Sequence, residues 1–215
     1  MNLKFIKTHV AAALPGEAVL AGHQIILSLF LFISPFLEVI SQTAQTFLPQ
    51  YYVQKSPSFQ AEGQTLALRL LRLGVSVGAC VAVFAAIIPR FTPFILTNDA
   101  TVMSAVRPLA LPLFLGALLT APVAISEGIL LARRELKYLA SVYVASTIAF
   151  PFFLFKLKAS GGPVTNVWFG FVMFQMFRAS CFMSKIWGRT VLRKISSVFG
   201  IGAKKEVNVS PEAIL

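Results

Sequence analysis

Apolar residues arrive in five long blocks, and the short stretches between them hold most of the charges. A helix rises 1.5 Å per residue, so about 20 residues cross the ~30 Å hydrocarbon core of a bilayer. On that scale the pattern predicts five transmembrane spans, at about 18–48, 70–89, 106–132, 138–155 and 164–184. The first span follows a Leu14-Pro15-Gly16-Glu17 turn and is nearly uniformly apolar over its first two-thirds. Ser34, Glu38, Ser41, Gln42 and Gln45 then recur at three- and four-residue spacing, which draws a polar stripe down one helix face. Leu37, Ile40, Ala44 and Phe47 form the apolar side. At about 45 Å the helix must tilt or reach into water, and Pro35 can kink it.

The remaining blocks differ in their punctuation. Residues 50–64 read as a polar loop, with a helix resuming near Thr65. Gly74, Gly78, Ala82 and Ala86 are four apart in span two and predict a small-residue ridge for close helix packing, with Pro89 as the stop. Thr97-Asn98-Asp99 reads as a turn followed by an N-cap. Span three holds Pro108, Pro112 and Pro122, which predicts an irregular helix, a device that membrane proteins use beside cavities. Span four carries Ser141, Tyr143, Ser146 and Thr147, and span five Asn166, Gln175 and Arg178. Residues 1–16 read as the remnant of a preceding helix and its turn. Residues 17–190 form the transmembrane helical domain. Residues 191–215 are a basic cytosolic tail with a disordered end.

Composition sharpens this into a class. Hydrophobic residues make up 57% of the chain and charged residues 13%, about half the usual share in a soluble domain. The fold class is an all-α membrane protein, a single multi-pass domain with lipid as its partner. The net charge of +11 would point to nucleic acid in a soluble protein. Here the basic residues flank spans, so they predict topology and no nucleic-acid partner. With the loop after span one inside, the inner segments hold Lys55, Arg69, Arg72, Arg133, Arg134, Lys137, Lys185, Arg189, Arg193, Lys194, Lys204 and Lys205. The outer segments hold Arg90, Arg107, Lys156 and Lys158, with Lys4 and Lys7 before the first span. This imbalance predicts a cytosolic C-terminus. Cys80 and Cys181 have no metal-ligand spacing and are expected to be buried thiols.

Candidate chemistry is sparse. Glu38 and Glu127 are the acidic residues within the spans. A carboxylate among apolar residues faces a cavity, a coupling ion or a basic partner. Glu38 could instead sit at the interface, and Glu127 could pair there with Arg133 or Arg134. Gln42 and Gln45 are candidate substrate-side hydrogen bonders or helix–helix glue. Tyr143 and Gln175 are further cavity candidates, and Arg178 either lies within span five or snorkels to the inner surface, with snorkelling the expectation. No nucleophile with its base, no metal cluster and no phosphate-cradling loop is visible, so an enzyme is not expected. No cofactor is implied beyond H⁺ or Na⁺ as coupling ion.

Three stretches carry a family resemblance: AGHQIILSLFLFISPFLEVISQTAQTFLPQYY, FTPFILTNDATVMSAVRPLALPLFLG and ISEGILLARRELKYLA. In this order they resemble the multidrug and toxic compound extrusion (MATE) family, and within it the DinF-like branch. The resemblance covers about residues 20–190. It implies a secondary active antiporter that exports organic solutes or xenobiotics in exchange for H⁺ or Na⁺. Such transporters have two six-helix lobes, and the five spans would be the last helices of the C-terminal lobe. The family's acidic-Gly motif maps onto Glu127-Gly128, with Glu where Asp is commoner, and implicates Glu127 in coupling. Glu38 lies where plant-like members can carry an acidic residue. The resemblance also implies that an N-terminal lobe belongs with these spans, from the same longer protein or a partner chain. The alternative is a non-transporting membrane subunit or truncated remnant. The membrane implied is the plasma membrane or a plastid envelope.

Overall fold

The computed structural model describes residues 16–53, 56–159 and 162–198. Among them every element is helical: α1 (Glu17–Phe47), α2 (Pro49–Val53), α3 (Pro57–Phe91), α4 (Ala100–Val106), α5 (Ala110–Ala132), α6 (Leu136–Ala159) and α7 (Val164–Val198), with 3₁₀ turns at Pro93–Ile95 and Arg107–Leu109. Four segments are long and apolar enough to cross a membrane: Glu17–Val53, Pro57–Phe91, Ala100–Ala132 and Leu136–Lys156. The fifth long helix, α7, carries Asn166, Gln175, Arg178 and Lys185 and falls outside that set. It nevertheless packs along α5 and α6.

The bundle is built around α5. In the Ala100–Ala132 span, which contains α5, 61% of the residues in an 18-residue apolar stretch are buried, against 22–33% for the other three spans. It packs on α3, α1 and α7, whereas α6 is held mainly by α7. Ile26, Phe30, Leu37, Leu113 and Trp168 belong to one core cluster. Ala44, Leu48, Ile125, Ile129 and Phe182 belong to a second. Phe32, Phe84, Ile148, Phe152 and Met173 all point outward. A sleeve of large apolar side chains of this kind suits lipid and not water.

Small residues set the α3–α5 and α1–α5 distances. Gly74, Gly78, Ala82 and Ala85 are buried on α3, while Ala86 is half-buried. A strict four-residue repeat drifts about 40° per step on a 3.6-residue helix, so Ala85 replaces the anticipated Ala86 on the contact face. A methyl group on Gly78 would stand 2.5 Å from the Ala121 Cβ. On α5, a methyl group on Gly128 would stand 2.7 Å from the Ser41 backbone oxygen of α1.

Several boundaries differ from those read in the sequence. Residues 50–64 are mostly helical, because Pro49 and Pro57 each open a helix. The missing N–H of proline is harmless at a first helical position. Pro89 lies inside the last turn of α3, which runs on to Phe91. Helix α7 extends through Val198, past the anticipated end of the domain at 190. Residues 1–15 and 199–215, to which a helix remnant and a disordered end were assigned, lie outside the described residues. Cys80 is exposed and Cys181 half-buried, so neither is the enclosed thiol anticipated. An outward thiol is compatible with hydrocarbon surroundings, since it behaves as a small hydrophobe.

The turns follow local chemistry. Asp99 caps α4, its Oδ1 accepting from the backbone N–H of Thr101 at 2.7 Å and of Val102 at 3.4 Å. Those donors hold its carboxyl below the ordinary value of 3.8. The 3₁₀ turn at Arg107–Leu109 contains Pro108 and interrupts the α4–α5 rod, the irregularity that the prolines predict. Between α5 and α6, Arg134 adopts φ 58°. The Arg134 N–H donates to Leu131 O and the Glu135 N–H to Leu130 O, closing α5 in a Schellman motif.

Candidate functional site

The inner faces of α1, α5, α6 and α7 enclose a half-open groove of about 550 Å³. Helical periodicity explains which residues reach it. On α1, Ser34, Glu38, Ser41, Gln42 and Gln45 recur every three or four residues, and on α5 Thr120, Val123, Ala124 and Glu127 do the same. Tyr143, Ser146 and Thr147 enter from α6, and Phe174, Gln175 and Arg178 from α7. The six residues singled out in the sequence, Glu38, Gln42, Gln45, Glu127, Tyr143 and Gln175, all line this one groove.

They are not equivalent within it. Glu38, Gln42 and Gln45 are exposed on the α1 wall. Among the described residues no ion pair reaches Glu38. Gln45 donates a long 3.4 Å hydrogen bond to the Ser41 hydroxyl. Ser41 is buried and donates at 2.6 Å to the Ala124 carbonyl oxygen, fastening α1 to α5. Its close approach is the one that Gly128 permits.

The opposite wall is a connected polar network. Gln175 is 4% exposed, and its Nε2 donates at 2.8 Å to the Thr120 hydroxyl. Thr120 in turn donates to the Gly116 carbonyl oxygen at 2.7 Å. Among the described residues the buried Gln175 Oε1 has no hydrogen-bond partner. One turn along α7, the Arg178 Nη2 donates to Glu127 Oε2 at 3.1 Å and to the Tyr143 hydroxyl at 2.8 Å. The pair is largely withdrawn from solvent, with Arg178 13% and Glu127 28% exposed. The guanidinium lies 4.8 Å from the Tyr143 ring centroid and 5.5 Å from those of Phe174 and Phe182.

Two anticipated positions are corrected by this geometry. Of the two readings of Arg178, the one within the span holds in place of snorkelling, because the Glu127 carboxylate and the Tyr143, Phe174 and Phe182 faces compensate its charge. Glu127 does not pair with Arg133 or Arg134. Arg133 lies over the Tyr52 ring at 5.1 Å and donates to the Ile186 carbonyl oxygen at 3.4 Å. Arg134 occupies the Schellman turn. Thr120 and Thr147 were not singled out as site residues, although Thr120 is seven before Glu127 and shares its helix face.

A second polar contact sits among the aromatic residues of the first core cluster. Trp168 Nε1 donates at 3.2 Å to His23 Nδ1, tying α7 to α1. Among the described residues no group of three or more His, Cys, Asp or Glu could hold a metal ion.

No protein-family model matches the chain, and no solved structure matches it significantly. Over 172 residues, 80% of this chain, the sequence is 31% identical to Protein DETOXIFICATION 47, chloroplastic, of Arabidopsis thaliana. The match occupies 31% of that protein's length. The chain is therefore a distant homologue of this Arabidopsis protein and spans about a third of it.

Proposed function

We propose that the chain is part of a secondary active transporter of the multidrug and toxic compound extrusion family. It moves organic solutes out of a compartment in exchange for H⁺ or Na⁺. The single observation that carries this reading is the groove. A bundle sheathed in apolar side chains gathers two carboxylates, a guanidinium and several amides and hydroxyls on the inner faces of four helices. Intramembrane ionisable groups that face such a cavity are the usual means of passing ions or polar solutes. The homology to a DETOXIFICATION protein agrees with it.

In this reading Glu127 is the coupling carboxylate and the Glu38, Gln42 and Gln45 wall meets the solute. Tyr143 and Gln175 complete the pathway. Alternating access needs a second unit rocking against the first. The open side of the groove is where that unit belongs, whether supplied by the same longer protein or by a partner chain. The spans correspond to the last helices of a C-terminal lobe of the DinF-like branch, with the C-terminus on the cytosolic side. The Arabidopsis relative is named as a chloroplastic protein. A plastid envelope is accordingly the membrane proposed here.

The half-open shape also favours a second reading, a membrane subunit that transports only within a heteromer or not at all. Reconstitution of the full-length protein in liposomes under an imposed pH or Na⁺ gradient distinguishes the two. Gradient-driven efflux of an organic solute supports the transporter, and a stable heteromer without flux supports the subunit.

A further inference from the structure

Among the described residues Arg178 is the groove's sole basic lining residue, and its surroundings are unusual for a helix tie. Its guanidinium sits among three aromatic faces and one carboxylate, drawn from three helices: Glu127 from α5, Tyr143 from α6, and Phe174 and Phe182 from α7 itself. Aromatic faces with a counter-charge, shielded from water, are the chemistry by which proteins recognise ligand cations. Here a side chain of the protein fills that position. The other carboxylate of the groove, Glu38 on α1, has no ion-pair partner among the described residues. Emptied of Arg178, the groove would hold two carboxylates, the aromatic faces and, among the described residues, no compensating charge.

We infer that Arg178 is a tethered cation that occupies a guanidinium site in the groove and so excludes small organic monocations from it. Resting on the reading of this groove as a solute pathway, the inference makes Arg178 a specificity determinant: wild-type protein rejects solutes bearing a guanidinium or ammonium group at this position. Removing the side chain opens a site for the same chemical group in solution. A plain structural tie predicts something different: on its loss α5, α6 and α7 would shift to close the vacated space or let water into it, leaving no saturable site for a cation.

The probe is ethylguanidinium chloride, titrated at constant ionic strength onto full-length protein in lipid nanodiscs and followed by calorimetry and thermal unfolding. Arg178→Ala is expected to bind it saturably and to gain thermal midpoint, while wild-type protein does neither. Adding Glu127→Gln to Arg178→Ala is expected to weaken that binding at least tenfold. Arg178→Gln, which keeps more of the packing volume, is measured in parallel. Should a variant be recovered unfolded, restoration of its fold by ethylguanidinium is the readout. Variants that bind no more of the probe than wild type, or that it fails to restore, overturn the inference. Because binding is read without a gradient, a site found in a protein that transports nothing leaves this assignment standing. Transport without such a site removes only the assignment.

Discussion

Glu127 and Glu38 line the same groove with opposite fates, and substitution separates them. Glu127→Gln removes the counter-charge of Arg178, which stays charged and withdrawn from water. Losing one member of a largely buried pair is expected to lower stability by about 1–3 kcal/mol. Glu38→Gln removes an exposed carboxylate with no ion-pair partner among the described residues, so the change should stay within about 0.5 kcal/mol. Thermal unfolding of the two variants in one detergent checks the contrast. Thr120→Val deprives the Gln175 amide of its acceptor. That is worth about 1–2 kcal/mol, because the amide is buried and its Oε1 already lacks a partner among the described residues. Carboxylates within apolar blocks were legible because each is costly unless something faces it. The partner of Glu127 was not legible. Arg178 is 51 residues away, and only the relative rotation of α5 and α7 decides that the two side chains converge.

Whole elements record two further constraints. Arg134 closes α5 in a left-handed conformation that glycine adopts freely and arginine does not. Arg134→Gly is therefore expected to raise stability by about 1 kcal/mol. Gly128→Ala should do the reverse, by about 1–3 kcal/mol, because its methyl group meets the Ser41 backbone oxygen, which has no rotamer to change. Cross-linking or distance measurements between α1 and α5 would register the separation. The Asp99 cap gives α4 a pH dependence. Its folded value is depressed, so the stabilisation is present above the ordinary 3.8 and is lost as pH falls through the lower folded value. Asp99→Asn retains an acceptor and should flatten that slope in acid unfolding. The cap, the proline break before α5 and the polar stripe on α1 were readable because each depends on neighbours in sequence. The start of α3 at Pro57 was misread because proline both ends and begins helices, and only the chain's path decides which.

At the scale of the molecule, α5 organises everything else. It presents one face to the small-residue ridge of α3, another to α1 and a third, with Thr120 and Glu127, to the groove. The apolar blocks made the membrane class and the long helices legible. The arrangement around α5 was not, since five amphipathic or apolar rods can be bundled in several orders. The central claim is that this groove couples solute movement to an ion gradient through Glu127. It is tested most directly by gradient-driven efflux of a fluorescent organic solute from liposomes holding the full-length protein, wild type beside Glu127→Gln. Flux that follows the imposed H⁺ or Na⁺ gradient in wild type and falls at least tenfold in Glu127→Gln is the predicted result. Wild-type flux indifferent to either gradient, or a Glu127→Gln variant with undiminished coupled flux, would contradict it.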